Sequence, residues 1–222
     1  MKFILARKVN MTQIFTEDGK VFPVTVLSAG PCKVTQIKTA EKDGYSAVQI
    51  AQGNEKAEFK VQGEMPVTGA EVKVSDFEPG EMVNIWGVSK GRGFAGAVKR
   101  HGFHGAPASH GHDHPRAVGS IGNRFPQHTR PGMRMAGHMG ARGATVLNSV
   151  VVSVDPEKNL IYVKGGVPGH PTSLLRLYTT GKKKNMPGVM KYGEKIAQAP
   201  AEGDDGIATE NADTGTGESH AN

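Results

Sequence analysis

The feature that most constrains this chain is the segment from residue 87 to residue 143, which has neither the 3.6-residue period of a helix nor the two-residue period of a strand. Between Trp86 and Arg142 the chain has nine Lys and Arg residues, one acid (Asp113), seven of its nine histidines and twelve of its 30 glycines. Irregular segments of this length are uncommon inside compact domains and are usually functional. Because such a segment cannot bury its own backbone polar groups, we expect a partner to order it, and the bases indicate a polyphosphate.

The rest of the chain divides by charge into a basic body and an acidic end. Residues 197–222 contain six Asp and Glu residues and no Lys or Arg, so the formal charge of +6 on the whole chain corresponds to +12 on residues 1–196. The acidic end also has almost no large apolar side chains with which to offset the entropy of ordering. We therefore predict that residues 197–222 are disordered.

The sequence argues against several classes of protein. No apolar run approaches the ~18 residues of a membrane span, and the single cysteine, Cys32, permits neither an internal disulfide nor a cysteine-based zinc site. No Ser/His/Asp or Cys/His arrangement typical of nucleophilic catalysis is recognisable. We therefore expect a cytoplasmic protein with no membrane partner, no small-molecule substrate, no catalytic residue and no cofactor.

Short strand patterns occupy both flanks of the basic segment. Alternating or β-branched residues predict the strands Lys2–Val9, Met11–Phe15, Val21–Leu27, Lys33–Lys38, Tyr45–Ala51, Glu81–Trp86, Thr145–Val154, Leu160–Lys164 and Leu174–Thr179. Residues 52–80 are weakly patterned, and no strand is predicted there. We predict a mainly β fold, a small closed barrel or sandwich, built from residues 1–86 and 144–196, with residues 87–143 inserted as a largely irregular basic extension.

The run Ser89–Gly96 superficially suggests a phosphate-binding loop, but it lacks the G-x-x-x-x-G-K-[ST] order and is not followed by a clear strand–turn–helix unit. The same residues suit an RNA contact, because glycines admit a sugar–phosphate chain and Lys90 and Arg92 neutralise phosphates. The ring of Phe94 could stack on a base or plug a gap. A flexible basic loop without a specific partner is the alternative.

The histidine-rich run His110–His114 suggests a metal site, since imidazoles at alternate positions and the Asp113 carboxylate are possible ligands. The neighbouring Gly111 and Pro115 give no rigid scaffold, however, and no second ligand cluster has a clear spacing. Hydrogen bonds to phosphate or 2′-hydroxyl groups agree better with the basic surroundings, because imidazole donates while neutral and gains charge when protonated. A solvated loop remains a further alternative.

Several motifs occur in an order that resembles one protein family over residues 1 to about 178. They are Arg7–Phe15, Gly91–Gly93, Lys99–Phe103, Ser109–Gly111, Gly119–Gly122 and Met135–Gly140. On these motifs the chain is identified as a member of the bacterial large-subunit ribosomal protein L3 family.

The resemblance implies a barrel similar to that of translation factors and an extension that reaches toward the peptidyl-transferase region. It also implies direct binding to 23S rRNA near its 3′ end, help in nucleating subunit assembly, and contact with the ribosomal proteins numbered fourteen and nineteen. A protein of this kind is a scaffold in the cytoplasmic ribosome and not an enzyme. A nonribosomal RNA- or DNA-binding protein and a metal-dependent hydrolase that uses the histidine cluster are the competing hypotheses.

The residues expected to bind rRNA fall into two groups. The barrel is predicted to present Lys2, Arg7, Lys8, Lys33 and Lys38. The extension is predicted to present Lys90, Arg92, Lys99, Arg100, His101, His104, His110, Arg116, Arg124, His128, Arg130, Arg134, His138 and Arg142.

Overall fold

The chain forms twelve strands and two short helices in the part described by the computed structural model, namely residues 1–61, 63 and 65–185. The strands are β1 (Phe3–Phe15), β2 (Val21–Ser28), β3 (Cys32–Lys38), β4 (Ala47–Gln52), β5 (Glu55–Lys60), β6 (Glu71–Val72), β7 (Glu81–Val88), β8 (Phe94–Ala95), β9 (Gly137–His138), β10 (Gly143–Asp155), β11 (Leu160–Lys164) and β12 (Leu174–Lys183). The helices are α1 (Ala40–Asp43) and α2 (Ala97–His101), and a 3₁₀ turn covers Val74–Asp76. The predicted mainly β fold is confirmed.

Six antiparallel strands pair in a closed ring in the order β1–β12–β7–β10–β11–β2. The barrel is irregular, because four of its six strand pairs contain a shift of register. Apolar side chains such as Leu5, Leu27, Ile85 and Leu177 are completely buried in its core. These residues lie in segments whose apolar periodicity predicted strands.

Residues 32–72, which the sequence assigned to the barrel, instead contain a separate four-stranded sheet in the order β5–β4–β3–β6. Its strand β5 was not predicted, although Ala57, Phe59 and Val61 alternate as buried residues along it and just beyond it. The Phe59 ring stacks on that of Phe3 in β1, with 5.1 Å between centroids. Buried residues of this sheet and of the barrel form one continuous apolar core.

The basic extension connects β7 to β10, which are neighbours in the barrel and pair at their ends through Val88 and Gly143. A largely irregular insertion between strands is therefore confirmed. Within the described residues, no helix is long and apolar enough to cross a membrane. The acidic end 197–222 lies outside the described residues, so its disorder stays a prediction.

Candidate nucleic-acid interface

The extension begins as a two-stranded ribbon that continues the β7–β10 pair away from the barrel. The Ser89 amide donates to the Arg142 carbonyl, and the Arg92 amide donates to the Met139 carbonyl, each at 2.9 Å. The Met139 amide returns a 2.9 Å bond to the Gly93 carbonyl, after which β8 pairs with β9. These backbone bonds fix the two arms in register, so the side chains that they carry are positioned before any partner arrives.

Gly140 allows the two arms of the ribbon to approach each other. Its φ is +75°, in the left-handed region that favours glycine. A Cβ atom at this position would lie 2.1 Å from the Lys90 carbonyl oxygen and 2.9 Å from the Gly91 Cα atom. A side chain therefore cannot be accommodated at residue 140 unless the arms separate.

Two predicted RNA-binding residues also hold the ribbon together from within. The Arg100 guanidinium Nη1 donates to the Met135 carbonyl oxygen at 2.7 Å, and Nε2 of His101 lies 3.1 Å from the same oxygen. A carbonyl oxygen only accepts, so this contact places the imidazole proton on Nε2. Both side chains are half-buried. No sequence pattern predicts this contact, because the acceptor is a backbone atom 35 residues away from Arg100.

Beyond the ribbon, residues 102–136 contain no helix or strand and fold back through isolated contacts. The Ala106 amide donates to the Pro115 carbonyl at 2.9 Å, and a Cβ atom on Gly105 would come within 2.1 Å of that oxygen. An open concavity of about 510 Å³ lies in this region. Its polar lining includes His101, His104, His112, His114 and Arg134. Its lining can therefore offer hydrogen-bond donors to anions or hydroxyl groups.

The aromatic ring of Phe125 is 70% exposed, with the Arg124 guanidinium 5.9 Å from its centroid. Arg124 was predicted from the sequence to bind rRNA, whereas Phe125 was not. The available signal was an arginine–aromatic pair within a Gly/Pro-rich, basic stretch, since bases of RNA stack on both side-chain types.

The histidines of the run His110–His114 do not converge on a common centre. Among residues 1–61, 63 and 65–185, no group of three or more His, Cys, Asp or Glu side chains is arranged to hold a metal ion. The His112 Nδ1 atom instead accepts a 3.1 Å bond from the His114 amide.

The basic side chains of the extension are mostly exposed, and they are unpaired with carboxylates within the part of the chain that the structure describes. Eight of its nine bases are exposed: Lys90, Arg92, Lys99, Arg116, Arg124, Arg130, Arg134 and Arg142. None of the nine forms an ion pair with a carboxylate of the described residues. The predicted histidines His104, His110, His128 and His138 are exposed as well. This part of the surface therefore presents cations that are available to an anionic partner.

The five predicted binding residues outside the extension differ in this respect, since each already has an internal partner. Lys2 pairs with Glu81 at 2.6 Å, Arg7 with Glu55 at 2.8 Å, Lys33 with Glu71 at 3.9 Å and Lys38 with Glu58 at 2.8 Å. The ammonium of Lys8 donates to the carbonyls of Val167 and Gly169 at 2.9 and 3.3 Å. An RNA phosphate would have to share or displace these partners.

The five residues also lie in three different places. Arg7 lies opposite Leu174 in the β1–β12 strand pair, at the end of the barrel from which the extension leaves. The Lys2 amide donates to the Thr179 hydroxyl toward the other end of the barrel. Lys33 and Lys38 are on β3 of the four-stranded sheet and not in the barrel.

Two of these lysines have shifted pKa values with opposite physical causes. Hydrogen bonds to the Glu58 carboxylate and the Tyr45 hydroxyl raise the pKa of Lys38, and the same ammonium lowers the pKa of Glu58. Burial, and secondly the charge of Lys90, lower the pKa of Lys8. Lys8 and Lys90 therefore place two positive charges close together at the base of the extension.

Comparisons with known proteins agree with this arrangement. Residues 24–159 match the family model described as Ribosomal protein L3. The chain is 46% identical over 201 residues to the large ribosomal subunit protein uL3 of Dehalococcoides mccartyi strain 195, and 45% identical over 201 residues to those of strains BAV1 and CBDB1. Each alignment covers 81% of this chain and 98% of the relative.

Proposed function

The chain belongs to the ribosomal protein L3 family and is a structural protein of the large ribosomal subunit; on that premise we propose that it binds 23S rRNA directly near the 3′ end, chiefly through the extension. In this proposal the barrel anchors the protein at the subunit surface, and the extension threads between RNA helices toward the peptidyl-transferase region. The protein helps to nucleate assembly, contacts the ribosomal proteins numbered fourteen and nineteen, and performs no catalysis. Its location is the cytoplasmic ribosome.

The observation that carries the proposal is the concentration of exposed basic side chains on the extension, both on its ribbon and beyond it. Eight exposed bases project from a segment whose only acid is Asp113, and none of them pairs with a carboxylate of the described residues. Guanidinium groups bind phosphate oxygens through paired N–H donors, and each phosphate contact releases counterions. Exposed cations interspersed with glycines are therefore suited to binding a folded polyanion whose phosphates approach the protein backbone closely.

The competing functions have less support. A metal-dependent hydrolase needs ligands that converge, and the described histidines around residues 110–114 do not do so. A nonribosomal RNA- or DNA-binding protein would share the charge pattern but not the family motifs. These motifs include Gly91–Gly93, which lies within the ribbon, and Met135–Gly140, which contains β9.

The test is a binding assay with the full chain, using a transcript of the 3′-terminal domain of 23S rRNA and, as competitors, duplex DNA and an unrelated RNA of equal length. We expect tighter binding to the 23S transcript than to either competitor. A triple variant at the outer extension, Arg124→Gln, Arg130→Gln and Arg134→Gln, should weaken that binding.

A control variant with the same net charge distinguishes the effect of where the basic residues lie from the effect of total charge on RNA affinity. Lys20→Gln, Lys56→Gln and Lys60→Gln remove the same three charges from exposed positions outside the extension. This control should retain most of the affinity. Equal loss in both triple variants, or equal affinity for duplex DNA, would contradict the proposal.

A further inference from the structure

The two-residue strands β8 and β9 form a small sheet with two different faces. Phe94 lies directly opposite His138, and Ala95 lies opposite Gly137. Side chains alternate between the faces of a strand, so Phe94 and His138 share one face. Ala95 is buried on the other face, whereas Phe94 is 80% exposed.

The inner face of this sheet is held in place by the Arg100 side chain. A Cβ atom on Gly137 would lie 2.8 Å from Nη1 of Arg100, so the guanidinium packs directly against the backbone there. The same Nη1 atom donates to the Met135 carbonyl. Together with the reciprocal bonds between Met139 and the opposite arm, this packing makes the outer face a preformed surface.

The exposure of Phe94 is the largest of any large hydrophobic side chain in the described residues. Single exposed apolar residues are common in soluble proteins and need no explanation by themselves. Phe94 differs because it is an aromatic ring on a fixed ribbon, opposite an imidazole and close in sequence to the exposed Arg92 and Lys99. Aromatic rings in a basic setting are the usual stacking surface for unpaired nucleic-acid bases.

The backbone beside the ring leaves room for such a base. A Cβ atom on either Gly93 or Gly96 would meet no atom within 4 Å. The φ of Gly96 is −67°, which any residue can adopt, so its backbone conformation does not require glycine. The surface beside Phe94 is therefore open at these two glycines, and no side chain there blocks the approach of a base to the ring.

We propose that Phe94, with His138 opposite it, forms a stacking platform for one unpaired base of the bound RNA. The ring packs against the face of the base, and His138 donates a hydrogen bond to the base edge, the 2′-hydroxyl or a phosphate. Arg92 and Lys99 neutralise the flanking phosphates. This inference rests on the proposed function, because it specifies one contact within the proposed rRNA interface.

The experiment measures the Kd of the full chain for the 3′-terminal 23S rRNA transcript at several salt concentrations. Phe94→Ala should raise Kd by about 5- to 150-fold, as expected for loss of one base–aromatic stack. The dependence on salt should be unchanged because no charge is removed. Phe94→Tyr should retain wild-type affinity. Phe94→Leu, which keeps an apolar side chain but no ring, should behave like Phe94→Ala.

Two controls accompany these variants. Phe15→Ala removes a half-exposed phenyl ring from the end of β1 and should leave Kd unchanged. Hydrogen exchange at the Arg92 and Met139 amides should remain slow in every Phe94 variant, which shows that the ribbon is intact.

Three outcomes would overturn the inference. Unchanged affinity in Phe94→Ala, with wild-type binding intact, would remove the stacking platform and leave the proposed rRNA binding standing. Full affinity in Phe94→Leu would show an apolar contact rather than base stacking. Failure of the wild-type chain to bind the transcript would instead contradict the proposed function itself, and the platform with it.

Discussion

The dependence of RNA affinity on salt follows directly from the exposed bases of the extension. Each phosphate contact contributes a slope of about −0.7 to −0.9 in a plot of log K against log salt. If all eight exposed bases meet phosphates, the extension gives a slope of about −6 to −7, and if half do, about −3 to −4. The variant with Arg124, Arg130 and Arg134 changed to Gln should reduce the magnitude of the slope by about 2 when all three contact phosphates.

The assay is filter binding or fluorescence anisotropy with the labelled 3′-terminal transcript at fixed Mg²⁺, across a series of KCl concentrations. The control variant with Lys20, Lys56 and Lys60 changed to Gln carries the same net charge and should keep the wild-type slope. An unchanged slope in the extension variant would refute the assignment of phosphate contacts to these arginines. The same loss of slope in both variants would show that binding depends on net charge alone.

Three further predictions concern the ribbon, the second sheet and the acidic end. Gly140→Ala should open the ribbon and speed amide exchange at Arg92. Gly93→Ala has a similar φ but no atom near its Cβ, so it should cost only the ~1–2 kcal/mol of a left-handed backbone and speed that exchange less. Equal exchange rates in the two variants would contradict the steric argument. The Lys38 ammonium lowers the pKa of Glu58 below its ordinary value of 4.5, so this pair stabilises the fold above that pH and loses its contribution as the pH falls through the lowered pKa. Lys38→Met should therefore raise the Glu58 pKa in a carboxyl NMR titration. No rise in that pKa would argue against the pairing. If the acidic residues 197–222 shield the basic extension before assembly, their deletion should increase binding of the free protein to unrelated RNA, and equal binding would count against shielding.

The barrel was predictable because its strands carry the pattern of a half-buried sheet. Val21–Leu27 and Thr145–Val154 are rich in β-branched residues, which fit a pleated surface, and the structure places them in β2 and β10. The partition into a barrel and a second sheet was not predictable, because strand pairing depends on contacts between distant residues. Strand β5 was missed because charged residues at Glu55, Lys56, Glu58 and Lys60 obscure its short apolar alternation.

The location of the candidate interface was predictable from charge and composition, but its internal construction was not. The predominance of positive charge and the abundance of glycine predicted that this segment is a surface for a polyanion. The contact of Arg100 with a backbone carbonyl could not be predicted from the sequence. An arginine that binds its own chain has the same sequence pattern as an arginine that binds phosphate. The internal partners of Lys2 and Lys38 were hidden for a similar reason, since Glu81 and Glu58 are distant in sequence.

We propose above all that this chain is built into the large ribosomal subunit through its extension. The most direct measurement is sedimentation of a tagged full-length copy through a sucrose gradient from growing cells, beside the copy with Arg124, Arg130 and Arg134 changed to Gln, together with metal analysis of the free pool. Salt-resistant comigration of the wild-type chain with the large subunit and its precursors is expected, with the variant shifted toward the top of the gradient. A wild-type chain that stays at the top of the gradient with stoichiometric metal would contradict the account and direct attention to the histidines around residues 110–114.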